Sequence, residues 1–552
     1  MKRAALLYAV ITFALAYPLT VHPASAVLSD APDTNLMMWT LAWDAHAFVH
    51  QPLGIFDANI FYPARHSLAF SENLIGSGMM AAPVIWTTGN LVLAMNLVSL
   101  ASAILCGMGA YLLGRRLGMG EAGALVAGLV FAFSPPRFLR LDQIHLATIQ
   151  WVPFALAFLQ AYLDEGRSAQ LRWYVFFATL QALTSGHGMV FLGVASIVVA
   201  ACAVAFGTPL APVRRLRDLG APGVLLLAPA ALLLIPYREA QVGVGLRRSL
   251  ENWTVTPESF LASPSHVQTW LLGLFHATGV NERASAYLFP GFSVLVLALA
   301  GIAAVWSSER PWRRWPPSSR TRAVVTYAAL AILSILLTLD RPFGLWPFVY
   351  WLPVMNFIRV PSRFVMLALL GLAVLAGFGA EALTARLRRR TAAALAIGAL
   401  LVGEFAAMPF ELAPRRVEIP AIDRWLAGQS DVTAIVELPE ANPANLSRAE
   451  RWHTAYMLHS TAHWKKTVDG YSGIRPAFHE QLYAALAAFP DERAVPMLAA
   501  AGVTHVVVHL DMYDDRDRAA IAAALDRAAW LRLVHAEGDG RVYALIGARG
   551  PK

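Results

Sequence analysis

Hydrophobic and polar positions in this chain fall into long blocks, not the short periods of soluble helices and strands. Apolar runs near the roughly 20 residues needed to cross about 30 Å of hydrocarbon recur at 4–21, 90–113, 121–134, 144–163, 173–185, 189–206, 219–237, 286–306, 323–339, 364–383 and 392–410. That makes about eleven candidate spans, two of them short. A further apolar stretch, 74–88, is interrupted by Gly76, Gly78 and Pro83 and reads as a re-entrant or interfacial piece. Near 411 the pattern changes: charge rises, Pro409, Pro414 and Pro420 cluster, and short β-rich runs alternate with helical ones. Strands are expected at 432–438, 503–510, 531–536 and 541–546, with helices near 448–459, 477–488, 492–501 and 516–528. The expected fold class is an α-helical polytopic membrane protein. Its membrane domain covers 1–411, with a first outer loop at 22–73, and an α/β domain of ordinary single-core size covers 412–552.

Composition agrees. Of 552 residues 57% are hydrophobic and only 14% charged, against about 25% charged in soluble domains. The net charge of +8 gathers in alternate loops: Lys2 and Arg3, Arg115 and Arg116, Arg167 and Arg172, Arg214, Arg215 and Arg217, the 310–322 loop, and 386–390. Assigning these to the cytoplasm puts the 22–73 loop outside, and with an odd number of spans the tail is extracytoplasmic as well. The expected location is the cell inner or plasma membrane, crossed many times. The positive charge is thus explained by topology, and nucleic acid is not an expected partner. Lys2, Arg3, the first apolar run and Ala24-Ser25-Ala26 resemble a secretory signal with its cleavage site; cleaved or not, Asp30 and Asp33 stay outside. Cys106 and Cys202 lie within spans, so neither a disulfide framework nor a thiolate metal site is expected.

The candidate chemistry lies in the outer segments. The stretch 29–44 is acidic and aromatic, and continues through Asp57, Asn59, Arg65 and His66 to Glu72. If Pro32 opens a helix, Asp33, Met37, Thr40 and Asp44 share a face, with Asp33 and Asp44 about 16 Å apart along the axis. They could not share one metal or one proton. Asp30 suits a helix cap and Asp33 the favourable first turn, although two acids are more than one cap requires. Arg137, Arg140 and His145 follow a span on its outer side, against the positive-inside trend. His187 is flanked by Gly186 and Gly188, which either leave room for close approach or make a tight helix–helix turn. Arg359 and Arg363, four apart in an extended proline-containing turn, suit phosphate oxygens, or alternatively lipid headgroups. In the tail, His453, His459, His463, His505 and His509 raise the question of a metal. His505 and His509 on one strand would be roughly 13 Å apart, too far for one ion, and no metal site is expected.

Several motifs carry a resemblance. They are Asp33 six residues before Trp39, the run 41–44 (Leu-Ala-Trp-Asp), 59–63 (Asn-Ile-Phe-Tyr-Pro), 68–72 (Leu-Ala-Phe-Ser-Glu), 131–135 (Phe-Ala-Phe-Ser-Pro) and 359–364 (Arg-Val-Pro-Ser-Arg-Phe). With the acidic first outer loop and the outer tail, the chain resembles the GT-C superfamily of integral-membrane glycosyltransferases, and within it bacterial YfhO-like membrane proteins. The resemblance implies transfer of a sugar from a polyprenyl-phosphate-linked donor to a glycan, lipid or protein acceptor on the outer face. It implies one outer-loop carboxylate as general base and cations on the leaving phosphate. Asp33 is the expected base, with Asp30, Asp44 and Glu72 as further candidates. Arg137, Arg140, His145, His187, Arg359 and Arg363 are the expected donor-binding set. A divalent cation is compatible with this chemistry, but one pair of carboxylates does not argue for it.

Two other classes fit the same pattern. A non-catalytic assembly or binding protein for cell-surface glycans would keep the outer domain without depending on Asp33. A lipid or saccharide flippase would need polar groups along the spans, which here carry almost none.

Overall fold

A computed structural model describes residues 1–208, 212–244, 255–275, 287–309, 317–352, 355–440 and 446–546. Arg247, Arg248 and Glu251 of the expected outer loop, and Arg310, Arg313 and Arg314 of the cytoplasmic one, lie outside the described residues. The chain divides into two compact units. The first comprises Met1–Pro23, Asn96–Leu232 and Arg247–Leu412; the second comprises Ala24–Met95, Leu233–Leu246 and Ala413–Lys552. The first outer loop and the tail therefore belong to one body, whereas the sequence reading grouped the loop with the membrane domain.

Each of the eleven apolar runs falls on helix, but not at equal length. Among the described residues six helices are long and apolar enough to cross a membrane: Leu91–Arg116, Ile144–Glu165, Gly186–Ala205, Arg214–Gly243, Ser319–Thr338 and Pro361–Ala385. Glu121–Phe133 and Phe292–Ser308 are apolar but shorter, and Lys2–Leu15, Ser168–Thr184 and Arg390–Phe405 are helices of the same modest size. Of the eleven expected spans, six are thus helices of spanning length among the described residues. At 1.5 Å per residue a helix of 13–17 residues covers only about 20–25 Å, so an apolar run marks a helix without guaranteeing a crossing. The stretch expected to be broken is one helix, Ile75–Thr88, with Pro83 inside it.

Unit one is built around helix Val365–Ala385, most of whose residues are buried. It is apolar on all sides, as a helix surrounded by other helices must be. Small residues set how close its neighbours come. A Cβ at Gly377 would lie 2.7 Å from the Gly123 carbonyl oxygen of helix Glu121–Phe133, and one at Gly379 would collide with the Leu297 carbonyl of helix Phe292–Glu309. Backbone thus meets backbone, which is how apolar helices gain dispersion energy where lipid competes for the same contacts. The buried Glu404 is spent on a helix end: its carboxylate accepts from the Phe292 and Ser293 backbone N–H groups at 2.5 and 3.0 Å and from Gln268 Nε2 at 3.1 Å. Orphan N–H groups at a helix start favour an anion there.

In unit two the tail forms a five-stranded sheet. Its strands are β1 (Ala434–Leu438), β2 (Lys466–Thr467), β3 (His505–His509), β4 (Leu531–Glu537) and β5 (Gly540–Leu545), in the order β2-β1-β3-β5-β4. β1 runs parallel to β2 and β3, and β5 is antiparallel to β3 and β4. β1 and β3 are buried along their whole length, as expected of parallel strands covered on both faces. Alternation sends Val436, Val506 and Val508 into the larger core, and Ile435, Val507 and Val542 into a smaller one under Ile422 and Leu426 of helix Ala421–Ala427. The outer loop closes the β2 edge: Tyr62 N–H donates to the Thr467 carbonyl at 2.9 Å, and Thr467 N–H to the Asn59 carbonyl at 2.7 Å. The 59–63 motif therefore covers a sheet edge that would otherwise invite pairing with another chain.

Candidate active site

In unit two, helix Pro32–His50 begins where its proline predicts, since Pro lacks the N–H that a first-turn residue leaves unused. Its N-cap is Ala31, with no side-chain cap, which corrects the expectation that Asp30 caps it. The reason is a competing partner. Arg415 donates from Nη1 to Asp30 Oδ1 at 3.0 Å and from Nη2 to Asn35 Oδ1 at 2.5 Å, so Asp30 is turned toward the tail. Thr34 Oγ1 reaches back to the Ser29 carbonyl at 2.8 Å and fixes the entry of the helix. Asp33 stands exposed in the first turn, and its Oδ1 accepts from the Tyr471 hydroxyl at 2.8 Å. That leaves an accessible carboxylate held by one neutral donor.

The other two acids differ in kind from Asp33. Asp44 is fully buried against Gly78, where a Cβ would come within 2.6 Å of its side chain. Neither of its oxygens has a hydrogen-bond partner among the described residues. Burial pushes its carboxyl well above the usual carboxylate range. Glu72 is buried too. It and Asp44 both lie within electrostatic range of the Tyr237 hydroxyl, which donates to the Ser71 carbonyl at 3.0 Å and accepts from Asn73 Nδ2 at 3.2 Å. Among the four candidate acids only Asp33 and Asp30 are exposed, and Asp30 is in an ion pair.

In unit one, four of the six candidate donor-binding residues converge from three distant segments. Arg363 Nη1 donates to His187 Nε2 at 2.6 Å, which makes that nitrogen an acceptor and puts the imidazole proton on Nδ1. The His187 and His145 rings lie 5.4 Å apart, and Arg363, His187 and Arg140 all act on His145 electrostatically. Arg140 is buried, which pulls it down to about 10 with Asp142 opposing, so it stays charged at neutral pH. Ser185 organises the centre. Its Oγ caps helix Gly186–Ala205 by accepting from Gly188 N–H at 3.2 Å, and donates to the His145 carbonyl at 2.5 Å.

Two candidates have other employment. Arg137 is buried and its guanidinium donates to the Ala132 and Ala147 carbonyls, at 2.8 and 2.9 Å, and to Cys106 Sγ at 2.9 Å. It ties helices Leu91–Arg116, Glu121–Phe133 and Ile144–Ala147 together. Arg359 is exposed and is not among the charges acting on His145. The turn expected to be extended is a 3-10 helix, Pro361–Phe364, with Arg363 inside it. Gly188 makes room for Gln181, with whose amide any Cβ there would collide, and not for a ligand on His187. Ser185 stands beside the Gly186-His187-Gly188 run and Tyr471 between Gly470 and Gly473, but the sequence reading singled out neither, because a hydroxyl gains its role from a partner that lies far away in the chain.

No family model matches the sequence, and no curated protein matches it, so the YfhO-like resemblance rests on the motifs alone. Solved structures do match. The cryo-EM structure of the arabinofuranosyltransferase AftD from Mycobacteria superposes with a TM-score of 0.57 at 15% identity, covering 100% of this chain and 40% of that one. A mutant of the same protein gives 0.54 at 17% identity, covering 99% and 41%. This chain therefore spans about two fifths of AftD. Over that length the fold is the one that AftD has. ArnT from Cupriavidus metallidurans matches end to end, 100% and 99%, but with a TM-score of 0.45 at 13% identity, too low to add to the assignment. The accessible carboxylate of the 22–73 segment and the cationic centre of unit one are the two features that bear on chemistry.

Proposed function

We propose that this protein is a membrane glycosyltransferase that moves a sugar from a polyprenyl-phosphate-linked donor to an acceptor hydroxyl on the outer face of the membrane. The acceptor oxygen attacks the anomeric carbon, the bond from that carbon to the phosphate oxygen breaks, and the hydroxyl proton passes to Asp33. The departing phosphate gains charge as it leaves, and Arg363 and Arg140, with the His187 and His145 imidazoles, suit it as donors. Arg137 falls outside this set because both of its Nη groups already donate to protein acceptors.

The observation that carries the reading is the convergence of Arg140, His145, His187 and Arg363. Guanidinium and imidazole groups gathered within a fold offer charge-assisted donors that suit an anion. The test is binding of polyprenyl phosphate to the purified protein. Arg363→Ala weakens it by about 10–100-fold, since each charge-assisted hydrogen bond is worth about 1.5–3 kcal/mol, while Arg359→Ala has a smaller effect. Equal binding by wild type and Arg363→Ala would return these residues to a headgroup role and leave the assembly or binding protein as the better reading.

A further inference from the structure

The tail domain holds a constellation that sugar transfer does not use. Asp423, Glu437, His459 and His509 each offer one ligand atom, and these four atoms lie within 4.8 Å of one another. They come from four elements: helix Ala421–Ala427, β1, the last residue of helix Leu446–His459, and the last residue of β3. β1 and β3 are parallel neighbours with Glu437 opposite Val507, so Glu437 and His509 rise from the same sheet face near the carboxyl ends of their strands. That is the edge of a parallel sheet at which side chains from covering elements converge.

The group is buried and incompletely satisfied. The Asp423 and Glu437 side chains are wholly shielded from solvent and His509 is 3% exposed. Both Asp423 oxygens, Glu437 Oε1 and His459 Nδ1 have no hydrogen-bond partner among the described residues. His509 Nε2 lies 2.9 Å from Glu437 Oε2, and His459 Nδ1 lies 3.9 Å from Asp423 Oδ2. His463 Nε2, also unpartnered, is 3.5 Å from Asp423 Oδ1. Two carboxyl side chains and two imidazoles thus meet with ligand atoms left unpartnered, a demand that one divalent cation satisfies.

A neighbouring trio makes the contrast. Glu440, His453 and Asp469 are also close together, but both ring nitrogens of His453 are engaged, Nε2 with Glu440 at 3.0 Å and Nδ1 with the Gly470 N–H at 3.3 Å. Glu440 Oε2 and Asp469 Oδ1 have no hydrogen-bond partner among the described residues, but the one imidazole of that trio has no lone pair left to offer an ion. The first group is not satisfied in this way.

We propose that Asp423, Glu437, His459 and His509 bind one divalent transition-metal ion, zinc by the chemistry of the donor set, which pins two covering helices onto the sheet. Two imidazoles and two carboxylates are borderline ligands that suit zinc, and four protein ligands make a closed site, structural rather than hydrolytic. Zinc bonds of about 2.0–2.2 Å put tetrahedral ligand atoms roughly 3.3–3.6 Å apart, so the set closes by side-chain rotation without moving a strand. His463 orients Asp423 from outside the ligand set. The sequence argument that His505 and His509 cannot share an ion holds, but His509 finds other partners.

The test uses the full-length protein, purified in detergent without a polyhistidine tag. Elemental analysis of the wild type, dialysed against micromolar zinc and then metal-free buffer, should give close to one zinc per chain. Cobalt substitution should give the visible absorption of a tetrahedral site. His459→Gln and Glu437→Gln should each weaken zinc binding by at least about 10–100-fold, whereas His505→Gln should keep the full equivalent. Should a variant fail to fold, the wild type decides: a chelator should lower its melting temperature, and zinc, but not magnesium, should restore it. Wild-type protein that takes up no zinc and melts identically with and without chelator, or zinc retained equally by His459→Gln and His505→Gln, would overturn the proposal.

Discussion

Tyr471 donates its hydroxyl to Asp33 across 2.8 Å, joining a tail residue to the first turn of the outer-loop helix 438 positions earlier in the chain. The bond holds the carboxylate in place while leaving it exposed, which a general base requires. Substituting Asp33 by Asn keeps the shape and removes the basicity. Transfer should fall by roughly 10²–10⁴-fold, read by complementing a deletion strain with each variant at matched membrane abundance and assaying the surface glycan that the deletion removes. Tyr471→Phe should cost less than about tenfold, because a neutral hydrogen bond is worth about 0.5–1.5 kcal/mol. Full rescue by Asp33→Asn would end the role assigned to this residue.

Asp30 should behave differently. It is paired with Arg415 at the surface and caps nothing, so Asp30→Asn should leave transfer within a few-fold of wild type and change stability by about 0–1 kcal/mol. Loss of transfer in Asp30→Asn with retention in Asp33→Asn would move the base to Asp30.

Asp44 carries a pH dependence whose sign follows from its raised pKa. A group whose folded-state value lies above its unfolded one, about 3.9 for Asp, favours folding fully below the unfolded value. That contribution is lost as pH rises through the folded value. Asp44→Asn, neutral at every pH, should therefore match wild-type stability in acid and exceed it in alkali. Melting curves of the two proteins across pH would show it; parallel curves would mean that Asp44 is ionised in the fold.

Arg137 should prove structural. Removing a buried guanidinium that donates to two carbonyls and a thiol leaves those acceptors unpaired. Arg137→Ala should lower stability by about 1.5–3 kcal/mol for each charged bond lost, seen as reduced membrane abundance and melting temperature. Donor affinity per folded molecule should stay unchanged, in contrast to Arg363→Ala.

The arginines in alternate loops predict that the tail is extracytoplasmic. An alkaline phosphatase fused after residue 552 should be active, and a cytoplasm-only fluorescent reporter fused there should be dark. The reverse result would put Asp33 and the cationic centre on the wrong side for an outer-face donor.

The sequence by itself determined where helices and strands lie. Apolar runs gave the helix positions, Pro32 gave the start of the outer-loop helix, and β-rich runs gave four tail strands to within two residues. These features depend on short-range periodicity and backbone chemistry, which any segment carries within itself. The sequence could not say which helices have spanning length, because a hydrophobic run extends past the residues that are helical. Tertiary structure alone decided the partners. Asp30 was free to cap until Arg415 arrived from 385 positions away, Arg137 looked like a phosphate ligand until its carbonyls were in view, and His509 looked isolated until Asp423, Glu437 and His459 were brought to it. A side chain's role is set by which groups the fold delivers within about 3–4 Å, and that distance has no counterpart in separation along the chain.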